Sequence, residues 1–84
     1  MIVFARGSIA DPSALAPYLE EEKRVLRELK VEGVIKAAYR RTAGPGAYLL
    51  LEGTGIDAVR ERMNTLPFVA EGLMTLEYDE IYEI

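Results

Sequence analysis

The chain has 84 residues, 50% of them apolar, with a formal net charge of −4 and a sequence isoelectric point near 4.8. It contains no cysteine and no histidine, which excludes disulfides and cysteine-based metal sites and removes both the commonest metal ligand and the commonest general base. The acidic balance argues against nucleic acid as a partner, and a domain this small buries only about 60–65% of its unfolded surface, so its core is marginal without oligomerisation.

In chain order, MIVFARG (1–7) reads as a short buried strand, apolar with β-branched and aromatic members, ending at Gly7. SIADPSALAP (8–17) is a connector in which Asp11 before Pro12 caps a first turn. PYLEEEKRVLRELK (17–30) is the first helix. Pro17 is tolerated at a helix start, and the acidic residues precede the basic ones as the helix dipole favours. Leu15, Tyr18, Leu19, Leu26 and Leu29, with Val25 at the edge, form its apolar stripe, while EEEK reads as its solvated face and Gly33 stops it. VIKAAYRR (34–41) and AYLLLE (47–52) are the second and third strands, joined as a hairpin through TAGPG. TGIDAVRERMNTL (54–66) is a short second helix ended by Pro67. Thr54 and Asp57 stand in a capping arrangement there, and Ile56, Val59, Met63 and Leu66 share one face. After PFVAEG, LMTLEYDEIYEI supplies the fourth strand, from about 73 to 82.

The order βαββαβ most simply gives an α+β, ferredoxin-like plait spanning residues 1–84 as one domain, with an antiparallel sheet in the order 4-1-3-2 and both helices on one face. Alternation along the strands places Ile35, Ala37 and Tyr39, Leu49 and Leu51, and Met74, Leu76 and Tyr78 under the helices. The other face mixes apolar residues with Lys36, Arg40, Tyr48, Glu52, Thr75 and Glu77. Nothing left in the chain covers that face, so the expected partner is a second copy, in a homodimer through the sheet face or a higher oligomer. No apolar run approaches the roughly 18 residues of a membrane span, and the start of the chain lacks the pattern of a secretory signal. The expectation is a cytoplasmic protein with no membrane partner.

Gly44-Pro45-Gly46 leads into a strand rather than into a helix N-terminus, which makes it a turn and not a phosphate-cradling loop. In the predicted topology the first two strands run parallel, so Arg6 shares a sheet end with Arg40 and Arg41, and Tyr48 and Tyr39 are close. The fixed donor fork of arginine suits a carboxylate. That end is therefore a candidate binding site for a carboxylated or phenolic small molecule, with Tyr39, Tyr48 and Tyr78 lining a pocket. Only carboxylates are left to act as a base. Glu52 is the candidate, and Glu77 on the same sheet face would move one of the two towards neutrality by repulsion. Glu77, Asp79, Glu80 and Glu83 are placed near the sheet end away from the arginines. No compact oxygen-ligand loop is present, so no metal is expected. Each of these residues also has a structural use: arginines and glutamates as ion pairs across an interface, tyrosines as packing.

The βαββαβ order, VEGVI at the end of the first helix, the hairpin AYRRTAGPGAYLLLEG (38–53) and TLPFVAEGL (65–73) before an acidic last strand resemble the dimeric α+β barrel superfamily. The muconolactone isomerase-like and YciI-like branches are the most similar, and the resemblance covers nearly the whole chain. It implies two sheets paired back to back with helices outside and a cofactor-independent activity. The first reading is proton-transfer isomerisation of a small carboxylated or oxygenated cyclic compound. The alternatives are a non-catalytic dimeric ligand-binding or accessory module and a cofactor-free monooxygenase. YciI-like members place a histidine with an aspartate at their proposed site, and this chain has no histidine, so that branch's chemistry does not carry over.

Overall fold

Strands β1 (Ile2–Ile9), β2 (Ile35–Arg40), β3 (Gly46–Glu52) and β4 (Met74–Ile81) form one antiparallel sheet in the order β2-β3-β1-β4. This is the predicted 4-1-3-2 read from the opposite edge. The computed structural model describes residues 1–84. Helices α1 (Leu19–Glu32) and α2 (Ile56–Met63) and the single turn α3 (Pro67–Ala70) cover one face. Beneath them Val3 and Ala5 of β1, Leu49 and Leu51 of β3 and Ile35 of β2 pack with Val25, Leu29, Val59, Met63 and Leu66 into one cluster. Leu29, Leu51 and Leu66 are fully buried. Truncating any of them to alanine removes about 2–5 kcal/mol of stability.

The element boundaries differ from expectation for local reasons. β1 does not end at Gly7: the residue pairs with Ala47 on one side and Leu76 on the other, and the strand runs to Ile9. A Cβ at Gly7 would lie 3.0 Å from Met74 Sδ and 3.1 Å from Leu76 Cδ2, so glycine here admits side chains of β4. Asp11 caps a short 3-10 turn, its Oδ1 accepting from the Ser13 N–H at 3.1 Å. Pro17 and Tyr18 sit in a second 3-10 turn, and α1 begins after them. The helix runs two residues beyond the predicted stop to Glu32, where Gly33 closes it at φ 84°, a left-handed geometry that favours glycine. Gly55, not Thr54, is the N-cap of α2. Pro67 opens α3 as its first residue, where a missing N–H costs nothing.

One irregularity changes the faces of the sheet. Ile35 pairs with Leu51, yet Ala37 pairs with Leu50, so the register shifts across Lys36. The extra residue inverts the alternation. Ala37 and Tyr39 therefore lie on the open face, opposite the predicted placement, and Ala38 and Arg40 take the helix side. The stripe of α1 is also rotated from expectation: its buried residues are Glu22, Val25 and Leu29, while Leu19 is 41% exposed.

The hairpin glycine that matters is Gly46. It has φ 141°, and a Cβ there would come within 2.2 Å of the Gly7 carbonyl oxygen, whereas Gly44 has open space around it. The β1–β3 pairing depends on that close backbone approach. Gly46→Ala is expected to cost about 2 kcal/mol or more through strain and strand separation, and Gly44→Ala less than about 0.5 kcal/mol, measured by urea unfolding.

Candidate functional site

The open face carries a row of side chains in cross-strand register: Tyr39, Tyr48, Arg6 and Glu77 on β2, β3, β1 and β4. Tyr48 is its hub. Phe4 stacks on it with centroids 5.8 Å apart and planes at 17°, and the Arg41 guanidinium lies 5.9 Å from its ring centroid. Arg6 Nη2 donates to Glu77 Oε2 at 2.9 Å. The structure thus gathers Arg6, Arg41, Tyr39 and Tyr48 at one sheet end. Arg40 pairs with Ala47 on the helix side, and Tyr78 lies beneath the helices.

The two acids picked out on this face do not meet. Glu52 is opposite Ile2 and Glu77 opposite Arg6, four positions apart on β1, or roughly 13 Å. Glu77 is therefore at the arginine end and not away from it. Each carboxylate has its own cation, Glu52 facing Lys36 Nζ at 3.7 Å. Glu52 is exposed and borders an open depression of about 460 Å³ beside Met1, Val34 and Thr54. A second open groove, of about 530 Å³, lies between α1 and α2 and is lined by Arg24, Arg27 and Arg62 with Glu28, Glu32 and Val31. Its charges are largely matched: Arg24 pairs with Glu21 and Glu28, and Arg62 with Glu32 at 2.6 Å.

On the helix side the structure supplies an acid that the sequence reading left in solvent. Glu22, within EEEK, is only 4% exposed and is the one charged residue buried in the protein. Its Oε1 accepts the Phe68 N–H at 2.9 Å, so α1 caps α3, whose own N-cap Leu66 has no side-chain acceptor. Burial pushes the Glu22 carboxyl above its ordinary value, and the Phe68 N–H opposes this in part. A signal was present in the sequence: Glu22 stands three residues before Val25 and seven before Leu29, a helical spacing that puts all three on one face. Tyr78 is half-buried, with its hydroxyl oxygen sealed from solvent. Burial raises its phenol, with the Arg60 charge pulling the other way. No three acidic side chains converge closely enough to hold a metal ion.

No protein-family model and no curated protein matches the chain. Solved structures do. Muconolactone isomerase superposes with a TM-score of 0.81 at 18% identity, over 100% of this chain and 91% of that one. The fold is that of muconolactone isomerase. A 5-chloro-2-hydroxyhydroquinone dehydrochlorinase from Burkholderia phenoliruptrix, solved with 2,5-dihydroxybenzoquinone, matches with a TM-score of 0.73 at 18% identity, over 98% and 94% of the two chains. A protein described as an antibiotic biosynthesis monooxygenase from Deinococcus radiodurans matches with a TM-score of 0.57 at 11% identity, over 100% and 95%. All three share this chain's ferredoxin-like architecture, which the sequence led us to expect, and at these identities the likeness is one of fold. No helix is long and apolar enough to cross a membrane.

The raised Glu22 value has a consequence for stability. The folded protein holds that proton more tightly than the unfolded chain does, so the favourable contribution is complete below the ordinary glutamate value, about 4.3, and is lost as pH rises through the raised folded value. Glu22→Gln keeps an acceptor for the Phe68 N–H and cannot ionise. Urea midpoints measured at pH 4 and pH 7 should therefore move in the variant's favour, relative to the parent, as pH rises.

Proposed function

We propose that this protein is a cofactor-independent isomerase, similar to muconolactone isomerase, that moves a proton within a small carboxylated or oxygenated cyclic compound. The observation that carries the reading is the buried, hydrogen-bonded Glu22 on the helix side of the sheet. Burial that raises the Glu22 carboxyl makes it a stronger base than a free one, and a shift of a double bond next to a carbonyl needs a group that accepts a proton and returns it. In such a step Glu22 takes a proton from one carbon, electron density moves to the carbonyl oxygen, and the proton returns at a second carbon. The Phe68 N–H holds Oε1 and leaves Oε2 with no protein donor. Glu22 replaces Glu52 as the proposed catalytic residue because Glu52 is exposed and faces Lys36.

The arginine–tyrosine row lies on the other face of the sheet from Glu22, so the two do not form one site within a protomer. We assign Arg6, Arg41, Tyr39 and Tyr48 instead to a homodimer contact through the sheet face. Ile2, Phe4, Leu50 and Tyr48 remain only half-buried there, and Tyr39 is 63% exposed. Covering such a surface is a common reason for two-fold pairing. To Arg40, at the same sheet end but on the helix side, we assign the binding of an anionic substrate group. A cytoplasmic address completes the reading.

A non-catalytic dimeric ligand-binding module is the second reading, favoured by the open rather than enclosed form of both depressions described above. Proton NMR in D2O with muconolactone and related unsaturated lactone acids separates the two. Turnover or solvent-deuterium incorporation is expected, and Glu22→Gln should lower it about 10²–10⁴-fold with the fold retained. A parent protein that binds such compounds and neither converts them nor exchanges their protons would leave the binding-module reading. For the assembly, light scattering should give a dimer or larger, and Leu50→Glu should shift it to monomer.

A further inference from the structure

Tyr78 carries the one side-chain polar atom that is sealed from solvent and has no hydrogen-bond partner, its hydroxyl oxygen. The residue stands opposite Ala5 on the helix side of β4, against the core cluster. Phenylalanine would fill the same space without burying an unpaired polar group, so the hydroxyl is a cost to stability that packing does not explain. Above the ring lies Arg60 of α2, its Cζ 5.1 Å from the centroid. The Arg60 side chain is about half exposed and has one protein acceptor, Asp57 Oδ1 at 3.3 Å, where Asp57 itself is almost wholly in solvent. Arg60 is thus a cation over the face of the ring that carries the sealed hydroxyl, held by a long contact that it can leave without losing a strong partner.

We propose that the Tyr78 hydroxyl and Arg60 form a subsite for the carbonyl, carboxylate or phenolate oxygen of a small oxygenated ring compound, the hydroxyl donating from inside and the guanidinium from the solvent side. The proposal deepens the isomerase reading by naming the group that recognises substrate oxygen. Burial keeps the phenol protonated, so it is a donor throughout the neutral range. Arginine adds a planar face suited to a flat ring as well as a charge for its oxygen. An unpaired hydroxyl also discriminates: a ring that offers an acceptor satisfies it, and one without an acceptor leaves it buried and unpaired.

The test uses the full chain labelled with ¹³C at the tyrosine ζ carbon, with the Tyr78 signal identified by its loss in Tyr78→Phe. Parent, Tyr78→Phe and Arg60→Gln are each titrated with 2,5-dihydroxybenzoquinone and with benzoate. Saturable displacement of the Tyr78 resonance is expected in the parent. Affinity should fall tenfold or more in Tyr78→Phe and in Arg60→Gln, while the urea midpoint of Tyr78→Phe stays equal to or above that of the parent. Unchanged affinity in both variants, or a Tyr78 resonance that neither compound moves, overturns the subsite. Turnover measured with Glu22→Gln decides the isomerase reading separately: binding that depends on Tyr78 without turnover keeps the subsite and removes the isomerase, and the reverse result does the opposite.

Discussion

Two helices and one extra helical turn can cover one face of a four-stranded sheet and no more. The central strand feels this most directly. Val3 and Ala5 have no exposure on the covered side, while Phe4, between them on the open side, keeps part of its ring in solvent. The chain has no third layer to supply, so the open face must be built from residues that tolerate water and can also take a partner. Tyrosine and arginine do both, presenting apolar surface with polar tips, and the row Tyr39, Tyr48, Arg6, Glu77 consists of such residues together with their charge partner.

The same one-sided layering separates the chemistry. On the open face Arg6 pairs with Glu77 and Lys36 with Glu52, all of them exposed, and such pairs contribute little and perturb little. Beneath the helices a single carboxyl is shut among apolar neighbours. It is kept there by a backbone N–H, and that contact ties the middle of α1 to the start of α3 across 46 residues of sequence. A buried carboxyl with one donor is destabilising when ionised, and a small domain has limited stability to offset it. Leucine at position 22 would remove that cost and would leave the Phe68 N–H without its acceptor.

Much of the architecture was legible. Strand and helix order, the sheet order and the antiparallel pairing follow from alternation, helical periodicity and a hairpin whose turn residues leave little choice. The buried face of α2 was also readable, since Val59 and Met63 stand at helical spacing, and Leu66, just beyond the helix end, is buried with them. The site was less so. Periodicity at Glu22 pointed inward and composition pointed outward, and the run of three glutamates was assigned by composition. Tyr39 was misplaced for another reason: alternation carries a face along a strand only while the register holds, and the bulge at Lys36 breaks it.

The sequence by itself determined the fold class, the order of the strands and a negative fact of chemistry, that no proton transfer here can use a histidine or a cysteine, because neither is present. Those conclusions rest on short-range patterns and on residue identity, which the linear chain contains in full. Tertiary structure decided which carboxylate is buried, which tyrosine hydroxyl lacks a partner and which face each β2 side chain takes. Burial and hydrogen bonding are set by neighbours far away in the chain: Phe68 for Glu22, and Ala5 and Arg60 around Tyr78. No local pattern encodes those neighbours until the sheet and helices have closed on one another.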